Sequence, residues 1–491
     1  MSQSTDDGRT VGAVEHQGSI SRPRRIRRRV ISSIVAVLVT AALIAGALGP
    51  TLVLQGLWRW SDTLATEAAA PDVGLSATAT PRPTASHDVR ATSAVLDWRR
   101  AARSISERQR QEALAVLLDR VRSDAASASC ALMTLDDVIV VGSRPDTGFD
   151  AGDTPMLITA AVALERLGSD HRFTTELRVS EPPDAGMIAG DLVIVGSGDP
   201  LLVSDDLFIA ATLGGVRLPA GLVGEDAPVT RLGDLVEQLV EQQVVEIRGD
   251  VVGDGSRFDD QYVVDSWEAT ERIEPHAGLL INRGLLFGST YGLNPVQSGA
   301  NELLRQLRAS GIGVSGRSRV LPSPEDISGY ETIARVESVP LGEWLPAMLD
   351  SRDALAFEML LKEIGAHSSG PGSTETGLTA VAEQLFMWNV NQDEVKLLDG
   401  SGRSPGSTLT CSALFAATQQ FISDVPDEGS AMALVAEFSA VDDRVIVVSG
   451  GLADGQVVHG IIVGDPDVSL LEELFTPDRI DGDAYEPLSG R

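Results

Sequence analysis

The sequence predicts a mixed α and β ectodomain carried on a single membrane anchor. Three observations predict it. An uncharged apolar run, Val30 to Leu54, directly follows a block of arginines. From Trp98 onward, helical apolar spacings alternate with short apolar runs closed by Gly and Asp. The chain of 491 residues is long enough for two or three domains with a sizeable core.

Residues 1–29 form a polar, basic tail. Met1 to Ile20 lack a hydrophobic pattern and are expected to be disordered, and Arg22, Arg24, Arg25, Arg27, Arg28 and Arg29 then cluster. At about 1.5 Å per residue, the run 30–54 spans a hydrocarbon core of about 30 Å. Trp58 and Trp60 follow at the interfacial belt. Ala45-Gly46-Ala47 would serve as a signal-peptide cleavage site, but the apolar run continues to Leu54, which favours an uncleaved anchor. The basic block keeps the N-terminus in the cytoplasm and sends the rest outward from a bacterial plasma membrane. Residues 55–96, rich in Ala, Thr, Pro and Ser, read as an extracytoplasmic linker.

The formal net charge is −31, and the first 29 residues carry seven Arg against three acids, so the outer part is more acidic still. That excludes nucleic acid, and argues against anionic lipid or teichoic acid as an electrostatic partner. Arginine supplies nearly all the positive charge, since Lys362 and Lys396 are the only lysines. Cys130 and Cys411 are too few for a disulfide scaffold. An extracytoplasmic setting permits one bridge, and spacing alone leaves open whether they meet.

Trp98 to Arg122 has helical spacing in Ala113, Leu114, Val116, Leu117, Leu118 and Val121. Cys130–Met133 and Val138–Val141 read as two strands joined by Thr134 to Asp137. A helix then starts near Asp153. Asp153 or Thr154 can cap it, Pro155 fits its first position, and Gly168 stops it. Met156, Leu157, Ala160, Ala161 and Leu164 fall on one face. Gly190 to Pro200 is a strand ending in a glycine turn; without a Walker pattern it is not a phosphate loop. Leu232 to Val244 is an amphipathic helix leading into a strand over 245–252, and Asn301–Arg308 with Gly311–Val314 gives another helix and strand.

Several of these stretches resemble the D-alanyl-D-alanine carboxypeptidases, the low-molecular-mass class C penicillin-binding proteins. Leu157-Ile158-Thr159-Ala160-Ala161 through His171-Arg172-Phe173-Thr174-Thr175 is similar to the tail of their nucleophile segment. Gly190 to Pro200, Asp254-Gly255-Ser256-Arg257-Phe258 and Asp399-Gly400-Ser401-Gly402 match further signatures in order. The resemblance covers roughly 112–465. It implies a β-lactamase/transpeptidase-like α+β domain over 97–173 and 324–491, with an antiparallel sheet flanked by helices. A β-rich domain is expected to be inserted over 174–323.

The chemistry of that family is missing. It uses Ser-x-x-Lys, in which a deprotonated Lys one helical turn on takes the serine proton. Here Asp153 stands at the Ser position and Met156 at the Lys position. The Ser-x-Asn element is matched by Ser351-Arg352-Asp353, where an acid replaces the amide and a helix N-cap role explains Ser351 equally well. The edge-strand Lys-Thr-Gly is matched by Val448-Ser449-Gly450, with Gly460 downstream. Neither lysine has the neighbours for either lysine motif in any register: Met359 and Asp393 stand three residues before them, Glu363 and Leu397 directly after.

Gly402-Arg403-Ser404-Pro405-Gly406 fits Gly-x-Ser-x-Gly formally, but Pro-Gly cannot start the helix that a nucleophile elbow needs. The six His lack ligand spacing, so no metal or cofactor is implied, and His171 reads as structural. The expectation is a non-catalytic relative that faces the wall and binds peptidoglycan stem peptides or a cell-wall enzyme. The alternative is an active carboxypeptidase or endopeptidase using displaced residues such as Ser351 or Ser449.

Overall fold

The computed structural model describes residues 98–475, apart from 206, 208–217, 223–226, 268–273, 287–289, 323–325, 369, 421–433, 442 and 453–455. The expected basic tail, anchor and linker lie outside the described residues. Among the described residues no helix is long and apolar enough to cross a membrane.

Helix α1 (Trp98–Ala125) leads into the hairpin of β1 (Cys130–Leu135) and β2 (Val138–Ser143). The strands run further than their apolar cores suggest. A two-residue turn, Asp136-Asp137, joins them with both residues at positive φ, the geometry that suits the twist of paired strands. The hairpin belongs to an antiparallel five-stranded sheet with β8 (Leu434–Ser439), β9 (Arg444–Gly451) and β10 (Val457–Gly464), in the order β8-β9-β10-β1-β2.

Strand alternation divides two cores across this sheet. Ile446 and Val448 of β9 join Leu117 and Val121 of α1 on one face, with α9 (Val468–Glu473). Val445 and Val447 face the opposite way, into a larger core with α2 (Pro155–Leu167), α5 (Leu341–Ser351), α6 (Ala354–Ser368), α7 (Thr374–Met387) and α8 (Cys411–Gln419). Helix α2 is surrounded: every residue from Pro155 to Ala163 is buried, so it is a central helix rather than one with a single apolar face.

The second sheet is mixed. Its order is β6 (Ser318–Val320), β5 (Val251–Asp254), β4 (Leu192–Val195), β3 (Thr174–Val179), β7 (Glu331–Glu337). The β6-β5-β4 pairings are parallel and the two that flank β3 are antiparallel. Helices α3 (Leu232–Glu241) and α4 (Pro295–Ala309) bury Leu235, Leu239, Leu303 and Leu307 against one face. This makes the region α/β rather than the β-rich insert expected, because parallel neighbours need helical crossovers. Strand β7 completes the sheet from beyond 323. The strand expected over 245–252 is broken into Glu246–Ile247 and β5, because Gly249 lies against the backbone of Gly190.

Cys130, at the start of β1, and Cys411, at the start of α8, are bonded, with Cα atoms 6.1 Å apart. The bridge joins the sheet to its helical layer across 281 residues of sequence. Closing so long a loop restricts the unfolded chain strongly. Converting both cysteines to Ser is therefore expected to lower unfolding free energy by about 2–5 kcal/mol in urea titrations. Two free thiols in the native protein would contradict the assignment.

Candidate functional site

Three backbone segments meet at the start of α2, and glycine makes the meeting possible. Gly152 has φ +51°, and a Cβ there would stand 2.1 Å from the Ser439 carbonyl oxygen of β8. Gly402 has φ +80°, and its Cβ would stand 1.9 Å from the Gly152 carbonyl oxygen. The turn before α2 is thus pressed between the edge strand and the 399–402 loop with no space for side chains.

Asp153 is fixed by this contact. Its backbone N–H donates to Ser439 O at 2.9 Å, and its Oδ1 accepts from Ser439 N–H at 2.7 Å. Its Oδ2 takes Arg352 Nε at 2.9 Å, while Arg352 Nη2 donates to Glu437 O on the same strand. Burial pushes the Asp153 carboxyl up from its ordinary range, and the Ser439 N–H and the Arg352 guanidinium pull against it. Neither Asp153 nor Thr154 caps α2 with its side chain. Thr154 occupies the cap position but donates through Oγ1 to Ala151 O. One turn on, Met156 is buried at 3% exposure in the core, where its thioether has no basic lone pair.

The Ser351-Arg352-Asp353 element lies between α5 and α6, but Ser351 is no N-cap. It ends α5, and its hydroxyl donates back to Ala347 O at 2.8 Å. Arg352, at φ +50°, turns the chain. Asp353 accepts Ala356 N–H at the start of α6 and receives two guanidinium bonds from Arg283, at 2.7 and 2.9 Å. Arg283 is 2% exposed and is also held by Glu274. Both Asp353 oxygens are consumed inside the protein, so this position has no group to offer a substrate.

Val448-Ser449-Gly450 is not on the edge strand. It sits on β9, between β8 and β10, and Val448 is buried on the face turned toward α1. The edge strand beside Asp153 is β8, whose Ser439 meets the start of α2 through its backbone. No lysine stands there either.

The Asp399 loop supports the site from below. Asp399 is fully buried and accepts from Ser401 N, Gly402 N, Ser404 N and Trp267 Nε1. Ser404, the centre of the formal Gly-x-Ser-x-Gly, is spent on Asp399 and Ser266. Glu358 of α6 accepts Gly400 N–H at 2.9 Å and the Thr374 hydroxyl. Burial, then the nearby Asp399 carboxylate, pushes Glu358 up to about 7. Lys362 Nζ is buried on Asp259 and the Gln261 carbonyl, far along α6 from any serine motif.

An antiparallel five-stranded sheet with helices on both faces, one of them central and started against the edge strand, is a transpeptidase-like scaffold. Penicillin binding protein 4 (dacB) from Haemophilus influenzae superimposes with a TM-score of 0.53 at 15% identity, over 76% of this chain and 95% of that one. The chain belongs to the D-Ala-D-Ala carboxypeptidase 3 (S13) family, whose model matches residues 115–295 and 293–436. It is similar to the D-alanyl-D-alanine carboxypeptidase of Actinomadura sp., 30% identical over 305 residues, or 52% of this chain and 56% of that protein. It is also similar to Carboxypeptidase Rv3627c of Mycobacterium tuberculosis, 25% identical over 304 residues, 60% of this chain and 59% of the other. The match therefore spans a little over half the length of these curated relatives.

Two stability measurements test this construction. Asp353→Asn leaves Arg283 buried with one charged partner fewer and is expected to cost about 3–5 kcal/mol. Adding Arg283→Met should recover most of it; additive losses in the double variant would contradict the pairing. For Glu358, the folded state keeps a proton that the unfolded chain releases near its ordinary 4.5. Its contribution therefore falls as pH rises from 4.5 to about 7, by on the order of 3 kcal/mol. Unfolding titrations of wild type and Glu358→Gln across that window should diverge, with Gln gaining as pH rises. Parallel profiles would contradict the shift.

Proposed function

We propose that this protein is a catalytically inactive member of its family, anchored by residues 30–54 in the plasma membrane and facing the cell wall. It uses the scaffold for binding rather than hydrolysis, with peptidoglycan or a wall enzyme as its partner. The observation that carries the reading is the closed junction at Asp153. A serine peptidase needs a free nucleophile, a base beside it and an open strip along the edge strand. Here a carboxylate bonded to Ser439 and Arg352 occupies the nucleophile position, a buried Met occupies the base position, and the turn is hydrogen-bonded directly to the edge strand.

The displaced serines give no alternative chemistry. Ser351 donates into its own helix, and Ser449 lies on an inner strand, opposite His459. Burial lowers His459 to about 4, so it is a poor base.

A fluorescent penicillin incubated with the purified protein is expected to leave no covalent label, while muropeptides or a membrane pull-down yield a ligand. Stable labelling at any serine would overturn the reading. Asp153→Ser combined with Met156→Lys is expected to stay inert on a D-Ala-D-Ala peptide, because neither β8 nor β9 supplies a Lys for the substrate carboxylate. Appreciable hydrolysis by that variant would show the site to be less eroded.

A further inference from the structure

A second cleft, of about 670 Å³, opens away from the closed junction, between the outer face of the mixed sheet and the turn after α2. Its size falls in the roughly 300–1,000 Å³ range of small-molecule sites. Strand β3 builds the floor by alternation. Thr175, Leu177 and Val179 are buried in the core, and Thr174, Glu176 and Arg178 point the other way. Arg335 of β7 stands opposite Glu176, and Arg172, His171 and the Arg257–Glu363 pair form the walls.

The charge is distributed unevenly with depth. Glu176 binds Arg178 Nε at 2.8 Å and Arg335 Nη2 at 3.3 Å, and Glu363 binds Arg257 Nε at 2.9 Å. The two acids are the least exposed charged members, at 14% and 3%, whereas Arg335 is 56% exposed. The carboxylates therefore orient the guanidinium groups from beneath and leave outer N–H groups toward the opening. Arg172 donates to the Ser338 carbonyl and, among the described residues, has no carboxylate partner. His171 Nε2 is buried without a hydrogen bond, 3.7 Å from Glu363.

Four arginines line the cleft against Glu176 and Glu363, with Glu337 4.0 Å from Arg335 at its side, a local excess of one positive charge in a chain of net charge −31. Fixed guanidinium forks suit carboxylate or phosphate groups bidentately. The acidic exterior repels long polyanions, which selects a compact ligand.

We propose that this cleft binds a small dianion whose two acidic groups, carboxylate or phosphate, bridge Arg172 and the Arg178/Arg335 pair. The site goes beyond the functional reading above and does not depend on the state of Asp153.

Calorimetric titration of the full chain with a γ-D-glutamyl dicarboxylate peptide, and separately with inorganic pyrophosphate, tests it. At least one probe should bind saturably, with affinity falling as salt rises; which of the two binds identifies the source of the charge. Arg172→Gln with Arg335→Gln alters exposed side chains and should weaken that binding about tenfold or more. Arg172→Gln alone provides the smaller perturbation. Absence of saturable binding by both probes up to about 10 mM would overturn the proposal. So would equal binding of the peptide's uncharged diamide, or wild-type affinity in the double variant. Penicillin labelling, in contrast, would leave this result untouched, so the two readings fail separately.

Discussion

The bond between Asp153 and the Ser439 backbone is the contact around which the start of the central helix is arranged. It joins the start of the central helix to the edge strand in both directions, N–H to carbonyl and carboxylate to N–H. Gly152 and Gly402 let the three backbones approach closely enough for it to form. Arg352 then ties the loop between α5 and α6 to the same carboxylate. A short carboxylate in this position does for the fold what a serine hydroxyl could not: it accepts from two segments at once, with one partner charged.

The positions that the resemblance matches to motifs are each held in a structural role of a different kind. Asp153 holds the edge strand, Asp353 neutralises a buried arginine and caps α6, and Val448 is buried on the face turned toward α1. A buried ion pair such as Arg283–Asp353 gives little net stability against an apolar replacement, but losing one partner strands the other charge. The pairing therefore opposes replacement of Asp353 by a neutral amide. The surrounding packing of α2 requires none of this chemistry, which is why its apolar sequence persists from Leu157 onward.

Local signals carry most of the fold. The β1–β2 hairpin, the Gly168 stop of α2 and the amphipathic helix at Leu232 are each set by neighbours within a few residues. The family resemblance, resting on glycine turns and Asp399, points to the scaffold. What stays illegible depends on distant partners. Arg283 is 70 residues from Asp353, and the bonded cysteines are 281 apart. Sequence spacing puts the edge strand at β9 rather than β8 for a physical reason: neither contains a lysine, and both are short, largely apolar strands. Glycine spacing favours β9, and only hydrogen-bond order reveals β8 as the outer one. The arginine cleft gives no signal either, because its members come from β3, β7, a turn and a loop, and meet only in the folded sheet.

Amide hydrogen exchange at Ser439 reaches the central claim most directly, since that N–H has its acceptor in the Asp153 carboxylate. In the native protein it should exchange slowly, and Asp153→Ala should release it while the amides pairing β9 with β10 stay protected. Rapid exchange at Ser439 in the unaltered protein would mean that the junction is open and the account of a closed centre is wrong.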